Sequence, residues 1–545
     1  MAISHNKNTK MSHVNMMTDT IVANLPPDAL RSIIRSLLVS QPDFTTVFEE
    51  STKSYLQSQI FKPGRLADDE GRLSRENIHN MQKRIRCMLG CGLCYQSLPL
   101  LGSIVKQATQ FLTRDNENTM FVQSVDADIV QAATAVQKAI TMMDGGQLSV
   151  DNVELLQTFY DNLVACLEES ILQGAEFPFE RGLTAVADLL GYSAPNSITK
   201  GFNIDLDTKQ ALIPPTPTET FQLGNRQLPR IFSGLWQLSS PAWGSAPASK
   251  IIQQFARHVR SGFTAFDMAD HYGDAEIIFG RFRSSYTHAD SIFAATKYCV
   301  FQPMTVSREA IRANVAERCQ RLHVDKIDLL QFHWQFYDDI QYIKALKYLQ
   351  EDDRVGMLGL CNFDTEHMQR VLESGITVHS NQVQFSLIDS RPLVKMSQLC
   401  AKYNVKLLTY GTLCGGFLAE EWVGKAEPGL YDSDITPSQR KYFSMIQSWG
   451  SWSLFQELLQ ALKSIGSKHR VSISNIATRW VLDYDCVGAV IVGTRMGVSE
   501  HVDENAASFG WSLDGEDQHF IEDILQRSHR AEMFESMGDC GGEYR

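Results

Sequence analysis

The chain is 545 residues long, 43% apolar and 21% charged, with a formal net charge of −13 at neutral pH. That length exceeds what one hydrophobic core usually serves, which predicts two domains. An acidic chain without a clustered Lys/Arg stripe excludes nucleic acid as a partner, because binding a polyanion needs a basic face.

Residues 1–24 are polar and Met-rich, lack the apolar core of a signal peptide, and predict a disordered N-terminus. From 25 to 191 the pattern is helical. Leu30, Ile33, Ile34, Leu37 and Leu38 recur at helical spacing, with Asp28 suited to the cap and Gln41-Pro42 ending the run. Leu156, Phe159, Leu163 and Leu167 line one face of a later helix. No alternating strand pattern interrupts them, so this part predicts an all-α domain.

The stretch from Cys87 to Val105 carries no charge and approaches the roughly 20 residues of a membrane-spanning helix. Gly90, Gly92, Pro99 and Gly102 dilute and interrupt it, so a buried helix pair is expected rather than membrane contact. Cys87, Cys91 and Cys94 have no fourth ligand at zinc spacing. They are expected to be packed apolar thiols, and no metal site is predicted. The eleven cysteines follow no pattern, which points to reduced thiols in a cytoplasmic protein.

Residues 192–218, with Ile213-Pro214-Pro215-Thr216-Pro217-Thr218, predict an extended Pro/Thr-rich linker. From 219 to 530 short apolar runs alternate with amphipathic helices. The predicted strands are Ile231–Leu238, Thr264–Met268, Ile292–Lys297, Ile327–His333, Gly356–Cys361, Val378–Gln384, Lys406–Tyr410 and Ala489–Gly493, with an insertion over Cys414–Trp449. Residues 531–545 are expected to be a flexible tail. Periodicity leaves two α/β architectures standing, a (β/α)8 TIM barrel and a doubly wound open sheet. The sequence has no G-x-G-x-x-G after a strand, since Gly90-Cys91-Gly92 lacks the third glycine and lies in a helical region.

Polar residues end successive strands: Asp267 on the second, Lys297 on the third and His333 on the fourth, with Tyr272 five residues beyond Asp267. Each alone reads as a turn, rim, core or surface residue. Together, at strand ends that converge on one mouth of a barrel, they form a candidate active site.

Seven segments carry a resemblance. AFDMADHYGDAEIIFGRF, AATKY, DKIDLLQFHW, VGMLGLCNF, SNQVQFSLID, LTYGTLCGGFL and GAVIVGTRMGVSEHVDENAA occur in this order. They resemble the aldo-keto reductase superfamily over about residues 221–524, and the N-terminal half has no counterpart in it. The resemblance implies a TIM barrel that transfers hydride from NADPH to a small-molecule aldehyde or ketone. It implies Tyr272 as proton donor, Lys297 lowering the pKa of that phenol, Asp267 pairing with Lys297, and His333 contacting the carbonyl oxygen.

It further implies Asn362 and Gln382 on the nicotinamide carboxamide, with Tyr410 stacked on the ring. Gly493, Thr494 and Arg495 would lie by the adenosine phosphates, Glu504 and Asn505 near adenine, and Trp236 and Trp334 in the substrate pocket, core packing being the alternative for the tryptophans. His501 stands where many members carry an Arg for the 2′-phosphate. Arg495 is the candidate replacement, and NADH remains open as cofactor. Cys361 replaces a common Ser, and Gly273-Asp274 departs from the commonest form. A function of a second class also stands: a non-catalytic, nicotinamide-sensing regulatory or interaction subunit, with a protein partner held by the helical domain.

Overall fold

The computed structural model describes residues 21, 25–41, 43–59, 65–112, 121–142, 148–192, 219–239, 243–429 and 435–544. Apart from Ile21 the expected disordered N-terminus lies outside these residues, as does the linker apart from Tyr192.

Among the described residues of 25–192 the α-helices include α1 (Pro27–Ser40), α2 (Phe44–Gln59), α3 (Arg75–Gly90), α4 (Cys94–Ala108), α5 (Asp126–Met142), α6 (Val150–Gln173) and α7 (Glu180–Leu189). Pro26, rather than Asp28, is the N-cap of α1. Asp28 sits in the first turn, where its charge suits the positive end of the helix dipole and it meets Arg31 at 2.6 Å. Ser149 caps α6 by accepting from the Asn152 N–H, and Gly174 ends it in the left-handed conformation, φ 63°. Its predicted face, Leu156, Phe159, Leu163 and Leu167, is buried.

The uncharged stretch divides into α3 and α4 as expected, and no helix among the described residues is long and apolar enough to cross a membrane. Two of the three cysteines at that junction depart from the expectation of packing. Cys94 is buried, but Cys91 is half-buried at the C-cap of α3 and Cys87 is exposed on the face of α3 turned from the core.

Beyond residue 219 the strands β3 (Ile231–Gly234), β4 (Ala265–Asp267), β5 (Phe293–Val300), β6 (Ile327–Trp334), β7 (Val355–Cys361), β8 (Ser380–Gln384), β9 (Lys406–Tyr410) and β10 (Val487–Gly493) close into a parallel barrel, β10 pairing with β3. The open-sheet alternative is thereby excluded. A hairpin of β1 (Thr220–Leu223) and β2 (Arg226–Pro229), which the sequence reading missed, lies before the barrel. It turns through Gly224 at φ 55°. Its Phe221 ring occupies the space a side chain at Gly488 would need, 2.3 Å from where a Cβ would stand.

The pleat sorts the strand residues into two sets. Ala265, Ala295, Leu329, Leu408 and Ala489 point inward with the hairpin's Phe221 and form an apolar plug. Phe266, Ala294, Leu330, Phe332 and Trp334 point outward and pack against the helices around the barrel. Inward positions one or two pleats further on are polar: Asp267, Lys297, Gln331 and His333. That step from apolar to polar along the axis puts the site at the carboxyl ends of the strands.

The core of the N-terminal helices draws on residues 56–186 and is separate from the shell around the barrel. Polar contacts join the two. Arg181 of α7 grips Asp274, Lys138 of α5 pairs with Asp270, and Thr141 donates to Glu317. The start of α7 is held by Asp126, which accepts from the Gly182 N–H at 2.7 Å and the Arg181 N–H at 3.2 Å.

Burial pushes the Asp126 carboxyl up to about 7, against the pull of Arg181 and those two N–H groups and with Asp274 adding to the rise. Its folded pKa thus lies above its unfolded value. The stability it contributes is full below about pH 4 and is lost as pH rises through about 7. Asp126→Asn keeps an acceptor and removes the titration. Its melting temperature is expected to fall less than that of the wild type between pH 5 and 8, the difference reflecting about 2–3 kcal/mol. Parallel melting curves for the two proteins across that range would show the assignment to be wrong.

Candidate active site

Asp267 ends β4, Lys297 lies within β5, His333 is next to last in β6, and Gln382 is in the middle of β8. Lys297 is not at its strand's end as expected, because β5 runs on to Val300. All four side chains are buried. Lys297 Nζ donates to Asp267 Oδ2 at 2.7 Å and to the Met268 carbonyl at 2.9 Å. Asp267 Oδ1 accepts from Gln331 Nε2 at 2.9 Å and Gln382 Nε2 at 2.7 Å. The carboxylate is thus shared between one ammonium and two amides, which satisfies both oxygens out of water.

Gln331 was missed. It stands two residues before His333, on the same face of β6, and that spacing was the available signal.

Lys297 Nζ lies 5.0 Å from the centre of the Tyr272 ring. Burial opposes charge on Lys297, but the Asp267 carboxylate and the Tyr272 phenol beside it raise its pKa, so it is an ammonium at neutral pH. The Tyr272 phenol is pushed well above its usual range by burial, which outweighs the lowering by Lys297. The expected net lowering is therefore corrected. The lysine offsets part of a desolvation cost, and Tyr272 holds its proton firmly. His333 Nδ1 lies 3.0 Å from the Cys361 carbonyl and must donate to it, which fixes one proton of the imidazole.

The residues expected at a cofactor lie along one arc of the mouth. Asn362 follows β7 at φ 58°, a left-handed conformation that asparagine tolerates, and its N–H donates to the Gln382 carbonyl at 2.8 Å. Its Oδ1 accepts from the Tyr410 hydroxyl at 2.9 Å. Both protons of the Gln382 amide are engaged, on Asp267 and on Gln331 Oε1, leaving its oxygen as the atom to meet a ligand.

Gly493 ends β10, and Thr494 donates from N and Oγ1 to the Gly234 carbonyl, each at 2.9 Å. Arg495 is exposed and bonded to Ser499 Oγ at 3.1 Å, while Glu504 meets His501 at 3.0 Å and Asn505 lies in the same short helix. Gln237 Oε1, a buried acceptor without a partner, lies 3.1 Å from where a Gly493 Cβ would stand. That unsatisfied oxygen, the bare glycine and the exposed Arg495 fit an extended polar ligand carrying hydrogen-bond donors and phosphate.

Of the two tryptophans expected in the substrate pocket, Trp236 is half-open to solvent and packs on Trp243 at 5.2 Å. Trp334 is fully buried against Phe332 and Phe336, with its indole N–H on the Phe336 carbonyl. It is one residue past His333, so the pleat turns it outward into the helical shell. Trp334 is thus a core residue rather than part of the expected substrate pocket.

The expected flexible tail is also corrected. Residues Arg530–Met537 are helical, Arg391 binds Glu543 and the Asp539 carbonyl, and Tyr544 reaches the mouth. Its hydroxyl lies 3.0 Å from that of Tyr410 and its ring packs edge-on to His333.

Among the described residues one group, Asp270, His271 and Cys299, has metal-ligand spacing. Its Asp270 is already paired with Lys138 and with Arg318, which leaves no negative charge for a cation.

The model of the Aldo/keto reductase family matches residues 230–526. Flagellar radial spoke protein 5 of Chlamydomonas reinhardtii is 26% identical over 34% of this chain and 38% of its own length. The NADH-specific methylglyoxal reductase of Escherichia coli is 22% identical over 56% of this chain and 96% of its own. The chain thus spans well under half of the radial spoke protein. The solved glycerol dehydrogenase of Gluconobacter oxydans shares 23% identity, with a TM-score of 0.49 over 57% of this chain and 96% of that one. The N-terminal helices lie outside the family match.

Proposed function

Because the chain belongs to the aldo/keto reductase family, we propose that its barrel is an oxidoreductase that reduces an aldehyde or ketone at the expense of NADPH, with Tyr272 as proton donor. The observation that carries this reading is the buried Lys297–Asp267 pair beneath Tyr272, with His333 at the same mouth. Asn362 and Gln382 would hold the nicotinamide amide, Tyr410 its ring, and Gly493, Thr494 and Arg495 the phosphates, with Glu504 and Asn505 by adenine.

A bound nicotinamide supplies the hydride to the carbonyl carbon. Tyr272 gives the proton at its Oη to the carbonyl oxygen as negative charge develops there. Lys297 stabilises the phenolate that remains, and Asp267 keeps that lysine charged and in place. His333 positions the carbonyl oxygen. The burial of the set excludes water and strengthens each of these interactions.

The test is oxidation of NADPH or NADH by the purified chain across a panel of aldehydes and ketones that includes methylglyoxal. No oxidation of either cofactor by folded protein would reject the reading. Arg495, exposed beside the end of β10, is the candidate to bind a 2′-phosphate in place of the Arg that many members carry at position 501. Arg495→Ala is therefore expected to raise the KM for NADPH about ten-fold and that for NADH about two-fold or less. Equal effects on both would assign Arg495 elsewhere.

A second reading, a nicotinamide-sensing subunit held by a protein partner, draws on the exposed apolar side chains of α2, Phe44, Val47, Phe48 and Tyr55. Tight cofactor binding without turnover of any carbonyl would favour it.

A further inference from the structure

We infer that the N-terminal helices are a positioning clamp for the catalytic tyrosine: Lys138 and Arg181 grip the carboxylates two residues before and two residues after Tyr272, Asp270 and Asp274. The inference rests on the carbonyl-reductase reading above and assigns the N-terminal part a role in that site.

Tyr272 is borne by the loop between β4 and the helix Ala275–Ser285. Barrel loops of this kind move easily unless their polar groups are held. Here both flanks are held from outside the barrel. On the near side, Lys138 Nζ of α5 meets Asp270 Oδ2, which also accepts from the Cys299 N–H at 3.2 Å. On the far side, Arg181 of α7 binds Asp274 with both arms of its fork, Nε at 2.9 Å and Nη2 at 2.5 Å.

Arg181 and Asp274 are 4% and 2% exposed, so water does not compete for this bond and the paired geometry is fixed. Arg181 is itself anchored, because Asp126 binds the N–H groups at the start of α7.

The loop has no slack between these two grips. Gly273 adopts φ 60°, and a Cβ there would come within 2.9 Å of the Leu238 carbonyl, 3.2 Å of Val130 and 3.4 Å of Gln131. Val130 and Gln131 belong to α5, so the loop lies directly against the helix that carries Lys138. From the barrel side Arg321 donates to the Gly273 carbonyl at 2.6 Å. Gly273-Asp274, the departure from the commonest sequence, is therefore the docking point for the N-terminal helices. The two cations also neutralise two buried carboxylates close to Tyr272 in the chain. Asp270 keeps Arg318 as a second partner, but Asp274 left without Arg181 would oppose the phenolate that proton donation creates.

The test uses full-length Arg181→Met, Arg181→Lys and Lys138→Met. Hydrogen exchange of the segment 268–274 reads the clamp without turnover, and kcat, KM and cofactor affinity read its consequence. Exchange in that segment is expected to rise about ten-fold or more in the methionine variants. Their kcat is expected to fall about 10–100-fold, with cofactor affinity within about two-fold of wild type. Arg181→Lys restores the charge but not the fork, and is expected to recover part of the lost kcat.

Should Arg181→Met fail to fold, Lys138→Met and Arg181→Lys carry the same comparison. Unchanged exchange in the folded variants overturns the clamp whatever the activity. Faster exchange with unchanged kcat overturns its positioning role. A wild type that reduces no carbonyl while the exchange shift persists rejects the proposed function and the positioning role, leaving a structural contact only.

Discussion

Tyr272→Phe is expected to lower kcat for carbonyl reduction by about 10²–10⁴-fold, the contribution of a positioned general acid, while cofactor affinity stays within about two-fold. The substitution removes one oxygen from a ring that is only 9% exposed and packed in the loop after β4, so the ring keeps its contacts. KM should change little, because the proton transfer belongs to the transition state rather than to substrate binding. Burial holds the Tyr272 proton firmly, so the phenol is loaded across the neutral range. The wild-type rate of reduction should accordingly show no loss that tracks phenol ionisation between pH 6 and 9. A variant with kcat near that of wild type would falsify the assignment of Tyr272 as donor.

The sequence made the barrel legible because each strand is a short apolar run followed by a helix, and because Asp267, Lys297 and His333 recur in phase with the pleat. Where the reading failed, the missing information was the phase or the partner. Trp334 was placed in the pocket by its nearness to His333 in sequence, yet adjacent strand residues face opposite sides of a sheet. The same rule, applied backwards from His333, finds Gln331. The hairpin before the barrel had a local signal in Gly224-Asn225, a two-residue turn between short alternating segments.

The docking of the N-terminal helices had no such signal. Asp270 and Asp274 look like solvated loop carboxylates until the fold brings Lys138 from 132 residues away and Arg181 from 93. The C-terminal segment is similar. Asp539, Glu543 and Tyr544 read as polar tail residues, and only the barrel's loops, with Arg391 some 150 residues earlier, give them partners. Local pattern carries the elements and part of the site, while contacts between distant charges depend on topology.

Lys297→Met is expected to damage stability and catalysis together, and the two losses can be separated. Lys297 and Asp267 are 3% and 4% exposed and 2.7 Å apart. Methionine fills similar space but leaves Asp267 with its Oδ2 unmatched in a dry site, while Gln331 and Gln382 still bond Oδ1. Removing one partner of a buried pair costs about 3–5 kcal/mol, which a shifted denaturant midpoint at pH 7 would register. Because the folded pKa of Lys297 is raised, its contribution is complete below the ordinary lysine range and is lost only as pH rises through the higher folded value. The stability difference from wild type should therefore owe nothing to lysine titration between pH 6 and 8.

Adding Asp267→Asn removes the stranded charge. The double variant Lys297→Met with Asp267→Asn is expected to regain most of the lost stability and none of the lost turnover. The phenolate left on Tyr272 would still lack its cation in a site whose burial already disfavours charge on that ring. Recovery of kcat along with stability would assign Lys297 a purely structural role, and an undisturbed midpoint in the single variant would show that Asp267 finds another partner when the lysine is gone.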